Sequence, residues 1–158
     1  MTQLSNYTYD EISIGQRASF ERKVEERDIQ LFAAATGDVN PLHLDADFAA
    51  TTRFGERIAH GMLTASFVSA ALAMRLPGPG TIFMEQQVRF RLPVRIGDVI
   101  SVELEVTEKE DKRKAVTLAC TARNQDGKAV LTGTAKVVAP AEKLSLPCPP
   151  TPQVTVAG

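Results

Sequence analysis

Hydrophobic positions recur along this chain with two different periods, and the change of period divides it into a helical part and a strand part. Apolar residues at helical spacing predict a helix over 28–36, a shorter one over 45–52 and a long one over 61–76. The long segment is apolar nearly all round, which predicts a helix buried on most of its sides. Pro77-Gly78-Pro79-Gly80 predicts its end.

Alternating apolar and polar residues predict the strands. The first strand precedes the helices, and the others follow them in succession, over 17–24, 81–92, 99–107, 115–123 and 128–138. The Asp126-Gly127 turn makes the last two strands a hairpin. This order predicts an α+β domain in which a curved antiparallel sheet wraps one long buried helix.

The length of 158 residues suits a single domain, which we place at 1–139. From 140 to 158 the chain is rich in proline and has no periodicity. We expect this segment to be an extended tail that is either draped over the domain or disordered.

Charge and cysteine content narrow the class of protein. The formal net charge of −1 comes from acidic and basic residues mixed along the chain, which argues against nucleic acid or a membrane surface as a partner. The apolar run over 62–76 is shorter than the ~20 residues that a membrane span needs. Two cysteines, Cys120 and Cys148, and an N-terminus without signal-peptide features indicate a reduced cytoplasmic protein.

Both histidines of the chain lie in segments that suggest proton chemistry. The first is Gly37-Asp38-Val39-Asn40-Pro41-Leu42-His43, in which the Asn-Pro step predicts a rigid bend. A bend there can bring the carboxylate of Asp38 close to the imidazole of His43, which is suited to general acid–base catalysis. In the structural alternative, Asp38 caps a turn and His43 is a buried structural residue. A metal site using Asp38, His43, Asp45 and His60 is a weaker alternative, because no third ligand follows a regular spacing.

The second segment, Ile58-Ala59-His60-Gly61-Met62-Leu63, opens the long helix. The first N–H groups of a helix lack internal partners and carry partial positive charge, and glycine lets a ligand approach them. Gly61 could therefore stabilise an oxyanion. In the alternative interpretation Gly61 forms a tight turn, His60 caps the helix and Ser69 bonds a backbone carbonyl.

Taken together, these motifs resemble those of the MaoC-like hydratases of the hot-dog superfamily, above all the short bacterial (R)-specific enoyl-CoA hydratases of the PhaJ type. The resemblance rests on 37–45, 48–52 and 58–63 and continues through 76–82 and 90–98. It implies a hot-dog fold and a homodimer whose two sheets join into one. It also implies hydration of trans-2-enoyl-CoA to (R)-3-hydroxyacyl-CoA, a lyase reaction that commonly supplies polyhydroxyalkanoate synthesis.

The same resemblance implies roles for particular residues, without a cofactor or a metal. Asp38 and His43 correspond to the catalytic pair, and Gly61 to the backbone donor to the thioester oxygen. Asn40 and Ser69 correspond to polar groups that support the site. Ser69 and Leu72 would face inward along the acyl tunnel. For the phosphates of CoA, the candidates are Arg89, Arg91 and Arg95.

Two other functions compete with the hydratase. A hot-dog thioesterase usually carries a carboxylate on its central helix, but this chain has no Asp or Glu between Gly61 and Leu76. A non-catalytic acyl-CoA-binding module would keep the fold without the chemistry, and the presence of both Asp38 and His43 argues against it.

Overall fold

The computed structural model describes residues 2–157. Its main sheet is antiparallel and has five strands in the spatial order β2-β4-β5-β6-β3. These strands are β2 (Arg17–Lys23), β3 (Ile82–Phe90), β4 (Val99–Glu110), β5 (Ala115–Arg123) and β6 (Ala129–Val138). The helices are α1 (Glu26–Thr36), α2 (Pro41–Leu44), α3 (Ala46–Ala50) and α4 (Gly61–Met74). Two short outer strands, β1 (Gln3–Ser5) and β7 (Ser145–Pro147), form a separate pair.

One hydrophobic core lies between α4 and the sheet. The buried residues of α4 include Phe67, Val68 and Leu72. They share the core with every second residue of β4, a pattern set by the period of two that the sequence shows: Ile100, Val102, Leu104 and Val106. The predicted hot-dog arrangement, a curved sheet around one central helix, is confirmed.

The long helix is less enclosed than its composition predicts. A stripe along α4 is exposed, and it consists of residues spaced three or four apart: Met62, Ser66, Ser69 and Ala73. The neighbouring edge strand β3 is exposed over most of its length as well. We call this surface the open face, and its members are the α4 stripe together with Ile82, Phe83 and Met84. The expectation that Ser69 faces inward is therefore wrong, because Ser69 shares the outer side of the helix with Met62.

The segment between α1 and α3 is more regular than the predicted bend. Gly37 ends α1 in the left-handed conformation, with φ of 81°. Pro41 then begins α2 as its first residue, where a proline loses no helical hydrogen bond. The side chain of Asn40 caps α2 by accepting a hydrogen bond from the Leu42 amide at 3.1 Å. His43 therefore lies within a one-turn helix.

The first part of the tail is attached to the body of the protein. β7 pairs with β1 in an antiparallel register that places Leu146 opposite Leu4. The amide of Asn6, a fully buried residue, donates to the carbonyl oxygens of Pro79 and Glu142, at 3.1 and 2.9 Å. These bonds join the start of the chain, the turn after α4 and the tail.

Within the described residues, no helix has the length and apolar content needed to cross a bilayer. Both cysteines are free thiols. Cys120 is buried in β5, and burial raises the pKa of its thiol to about 12.

Candidate active site

Asp38 is held at the end of α1 by its own backbone and that of its neighbours. Its carboxylate oxygen Oδ1 accepts a hydrogen bond from the Asn40 amide at 3.2 Å. Its own amide donates to Oγ1 of Thr36, also at 3.2 Å, and that hydroxyl donates to the Phe32 carbonyl. The side chain remains about half exposed. The local turn thus fixes the direction of an accessible carboxylate.

His43 is buried, and one hydrogen bond assigns its tautomer. Nδ1 lies 2.7 Å from the backbone carbonyl oxygen of Ile58. Because a carbonyl oxygen can only accept, Nδ1 carries the hydrogen, and Nε2 of the neutral ring keeps a free lone pair. The Ile58 segment is itself fixed, since Ala59 donates to the Val94 carbonyl at 2.7 Å. His43 therefore presents a fixed base.

His60 lies against both members of this pair. Its ring stacks on the ring of His43, with 3.9 Å between centroids and 30° between planes. Its Nε2 lies 3.0 Å from the backbone oxygen of Asp38 and 4.0 Å from Oδ2 of the same residue. His60 precedes α4 directly, but its side chain makes no capping hydrogen bond to that helix. His60 is thus the N-cap residue of α4 by position, as the alternative interpretation has it, but its side chain is used elsewhere.

The same geometry bears on the weaker metal alternative. Asp38, His43 and His60 each place one potential ligand atom within 4.8 Å of the others. Asp45 does not join them, because its Oδ1 caps α3 by accepting from two backbone amides at 3.0 Å. The rings of His43 and His60 are stacked, and the lone pair of each ring nitrogen lies in the plane of its own ring. Zinc needs nitrogens whose lone pairs converge on it at about 2.0–2.1 Å, which stacked rings do not provide. The geometry fits proton chemistry better than metal binding.

Gly61 brings a backbone donor to the same place. It is the first residue of α4, so its N–H has no partner within the helix and forms part of the positive end of the helix dipole. A Cβ at this position would lie only 3.0 Å from Cε1 of Phe90. The aromatic ring thus packs directly on the glycine at the mouth of the helix.

Two clefts meet at these residues, and His43, Gly61 and Phe90 line both of them. The dyad cleft has a volume of about 380 Å³, and its remaining lining is Phe32, Thr36, Asp38, His60 and Met62. The arginine cleft has a volume of about 250 Å³, and its lining includes Arg53, Phe54, Thr64, Arg91, Leu92 and Pro93. A molecule that crosses the junction would contact the dyad and extend in two directions.

An ion pair holds α1 to the loop that leads into α4. Arg57 donates two hydrogen bonds to the carboxylate of Glu26, at 2.9 and 2.5 Å. These bonds lower the pKa of Glu26 and raise the pKa of Arg57. The two elements that supply Asp38 and His60 are thereby joined to each other.

The other residues expected at the site lie elsewhere. Asn40 uses its side-chain oxygen to cap α2, so its contact with the site is indirect. Ser69 lies two turns along α4, about 12 Å from Gly61 along the axis, on the open face. Leu72 is buried in the core and lines neither cleft.

Sequence reasoning considered His60 only as a helix cap or as a ligand in the weaker metal alternative, and it did not assign Phe90, Thr64 or Arg53 to the site. The signal for His60 was present, because it is the second of only two histidines and adjoins Gly61. The others carry no local motif and meet at the site through tertiary packing alone.

Comparison with known proteins identifies the family. The family described as "MaoC like domain" matches residues 11–127, which is most of the chain. The chain belongs to this family. An (R)-specific enoyl-CoA hydratase from Rhodospirillum rubrum is 46% identical over 133 residues, which cover 84% of this chain and 92% of the relative.

Solved structures of MaoC-like relatives share the fold. The R-hydratase PhaJ1 from Pseudomonas aeruginosa, in its unliganded form, has a TM-score of 0.93 and 49% identity, and the match covers 99% of this chain and 100% of that one. The (R)-hydratase from A. caviae involved in PHA biosynthesis has a TM-score of 0.78 and 41% identity, over 82% of this chain and 98% of that one.

Proposed function

We propose that this MaoC-like protein catalyses the (R)-specific hydration of trans-2-enoyl-CoA to (R)-3-hydroxyacyl-CoA. The observation that carries the proposal is the Asp38 carboxylate beside a His43 ring with a free Nε2, at a cleft where the Gly61 amide begins α4. The names of the relatives, two R-hydratases and an (R)-specific enoyl-CoA hydratase, support the same reaction.

The proposed chemistry assigns a task to each of these groups. The thioester oxygen accepts a hydrogen bond from the Gly61 amide, which stabilises the negative charge that develops there as water adds to C3. Nε2 of His43 takes a proton from this water, and the Asp38/His43 pair delivers a proton to C2 on the same face. Hydroxyl at C3 and hydrogen at C2 account for all atoms of one water. The two groups are close enough to act as a coupled acid–base pair.

The two clefts suit the two ends of such a substrate. We place the thioester at the junction and the acyl chain in the dyad cleft, against Phe32 and Met62. The arginine cleft then receives the CoA end, where Arg53 and Arg91 can meet phosphates. Of the other arginines considered for this role, Arg95 forms an ion pair with Glu56 and Arg89 is not part of the cleft lining, so both are weaker candidates.

We also propose a homodimer formed through the open face. Met62 is 53% exposed, Ile82 is 61% exposed, and β3 offers an unpaired sheet edge beside them. Exposed apolar side chains along a free edge strand are typical of a surface that pairs with another chain. Light scattering coupled to size exclusion should give twice the chain mass of 17.1 kDa. A monomer at micromolar concentration would contradict this assembly.

The cellular setting is a proposal that rests on the relatives. Because one similar structure is described as involved in PHA biosynthesis, we propose a cytoplasmic enzyme that supplies hydroxyacyl-CoA to that polymer. Leu72 and Ser69 line neither cleft, so we propose that Leu72 influences acyl chain length only through the packing of α4 behind the site. Comparing the rates of Leu72→Ala and wild type with enoyl-CoA of increasing length tests this proposal.

The deciding experiment follows the loss of the conjugated enoyl-thioester absorbance with crotonyl-CoA and a longer enoyl-CoA. Asp38→Asn and His43→Gln should each lower kcat by about 10²-fold to 10⁴-fold, the usual worth of a positioned acid or base. Chiral analysis should give the (R) product. Release of free CoA would instead support a thioesterase, and substrate binding without turnover would support a non-catalytic binding module.

A further inference from the structure

We propose that His60 is a positioning residue for the acid–base pair, which it holds in place through the backbone of Asp38 and the ring of His43. This inference rests on the proposed hydratase function. His60 is buried, with 2% of its surface exposed, and it contacts both members of the pair while its side chain leaves α4 uncapped. A histidine kept only to cap the helix would bond the amides of α4 instead.

The hydrogen bond to Asp38 defines the state of the His60 ring. The backbone oxygen of Asp38, 3.0 Å from Nε2, can only accept, so Nε2 carries the hydrogen. The same N–H lies 4.0 Å from Oδ2 of Asp38. His60 therefore restrains the residue whose carboxylate must face the substrate, at a point where the chain has just left α1.

The stack with His43 completes the arrangement. With 3.9 Å between centroids, the two rings are in van der Waals contact, and rotation of His43 about its side-chain bonds would collide with His60. His43 is thus fixed at its edge by the Ile58 carbonyl and on its face by His60. Fixing the orientation of a base in this way is worth a large part of its catalytic effect.

The remaining nitrogen of His60 shows that stability alone does not explain this residue. Among the described residues, Nδ1 of His60 is the one buried side-chain nitrogen or oxygen that lacks a hydrogen-bond partner. A buried polar atom without a partner costs stability, and an apolar ring of the same size would avoid that cost. An apolar ring would, however, also lose the N–H at Nε2, which is what a histidine provides at this position.

Two substitutions separate the hydrogen bond from the packing. His60→Phe keeps an aromatic ring against His43 and removes the donor, whereas His60→Gln keeps an amide donor of similar reach and removes the ring. We expect His60→Phe to lower kcat at least 10-fold with KM changed less than 3-fold, and His60→Gln to recover part of that loss. If kcat per folded molecule is the same in both variants and in the wild type, the role is merely structural and the proposal fails.

A double-substitution cycle tests whether His60 acts through Asp38. In an Asp38→Asn background, His60→Phe should lower kcat less than 2-fold further, because the group it positions is already disabled. A full 10-fold further loss would show that His60 acts independently of Asp38, and would overturn the proposal.

A spectroscopic measurement keeps the inference testable if the protein does not hydrate enoyl-CoA. The chain contains only two histidines, so the imidazole nitrogens in a ¹⁵N-labelled sample can be assigned by comparison with His60→Gln. We expect His60 as the Nε2–H tautomer and His43 as the Nδ1–H tautomer. Finding Nδ1–H on His60, or exchange between tautomers, would overturn the assigned contact whatever the activity. Lack of turnover with both tautomers as expected would overturn the hydratase function alone.

Discussion

The contact between Gly61 and Phe90 leads to a steric prediction about the mouth of α4. In Gly61→Ala, the new Cβ would lie 3.0, 3.2 and 3.3 Å from three atoms of the Phe90 ring. Ordinary contacts begin at 3.4 Å, so the ring must yield by about 0.4 Å. Phe90 is 52% exposed and can move, and the φ of Gly61 lies outside the left-handed region. The fold should therefore tolerate the change.

The activity, in contrast, should fall in Gly61→Ala. Phe90 lines both clefts at their junction, and its displacement shifts the surface against which the thioester rests. A misplacement of 1 Å can cost about 10²-fold in rate, so 0.4 Å corresponds to a loss of about 5- to 10-fold in kcat/KM. That loss equals about 1–1.4 kcal/mol of transition-state stabilisation. The amide of residue 61 is retained, so a loss of this size measures the position of the ring.

The assay combines enoyl-CoA hydration rates with urea unfolding of four proteins: wild type, Gly61→Ala, Phe90→Ala and the double variant. Unfolding should show Gly61→Ala within about 1 kcal/mol of wild type, since alanine is the better helix former. In the Phe90→Ala background, Gly61→Ala should cost less than 2-fold, because the ring that it displaces is gone. The reasoning is refuted if Gly61→Ala has full activity, or if its cost is unchanged when Phe90 is absent.

Three further predictions concern stability and thiol chemistry. Gly133→Ala would place a Cβ 1.9 Å from the backbone oxygen of Gln87 and force β3 away from β6. Urea unfolding should therefore show a loss of about 3 kcal/mol in the free energy of unfolding. An unfolding midpoint equal to that of the wild type would contradict this close approach. The pKa of Glu26 is lower in the folded protein than in the unfolded chain, where it is about 4.3. The ionised carboxylate therefore stabilises the fold above about pH 4.3, and this stabilisation is lost as the pH falls through the pKa of the folded state. Thermal scans of Glu26→Gln should therefore show Tm about 1–2 °C below wild type at pH 7, a modest effect for a partly exposed pair, and the difference should shrink as the pH falls below about 4. A difference that does not change with pH would exclude the ion pair as its cause. Burial raises the pKa of Cys120 to about 12, so Ellman's reagent should react only with Cys148 in the folded protein. Both thiols should react once guanidinium chloride unfolds the chain. Rapid reaction of two thiols in the folded protein would show that Cys120 is accessible.

The sheet could be predicted because its period is written in the sequence. Every second residue of β4 meets the core, and the alternation of Ile100 to Val106 marks that face directly. The pairing of β1 with β7 could not be predicted in this way. Each strand has three residues, too few to show a period, and their partnership depends on where the completed fold brings the two segments together.

Errors at the site have equally specific causes. The Asn40-Pro41 step predicts a rigid bend, but proline is disfavoured only at helical positions after the first turn, and here Pro41 begins a helix. The direction of the His60 side chain depends on side-chain torsions that spacing does not encode. The inward position of Ser69 is what the resemblance implies, and α4, composed of small and apolar residues, has no charged stripe to mark the side that stays uncovered.

The division of the site between helix ends and an edge strand has a consequence for acyl preference. Asp38, His43 and Gly61 belong to helix ends that depend on one another, whereas Phe90 ends a strand bound to the sheet on one side only. Substitutions around Phe90 can alter the size of both clefts without moving a group that carries a proton. Under the proposed function, substitutions there can change which acyl chains fit while the acid–base pair stays in place.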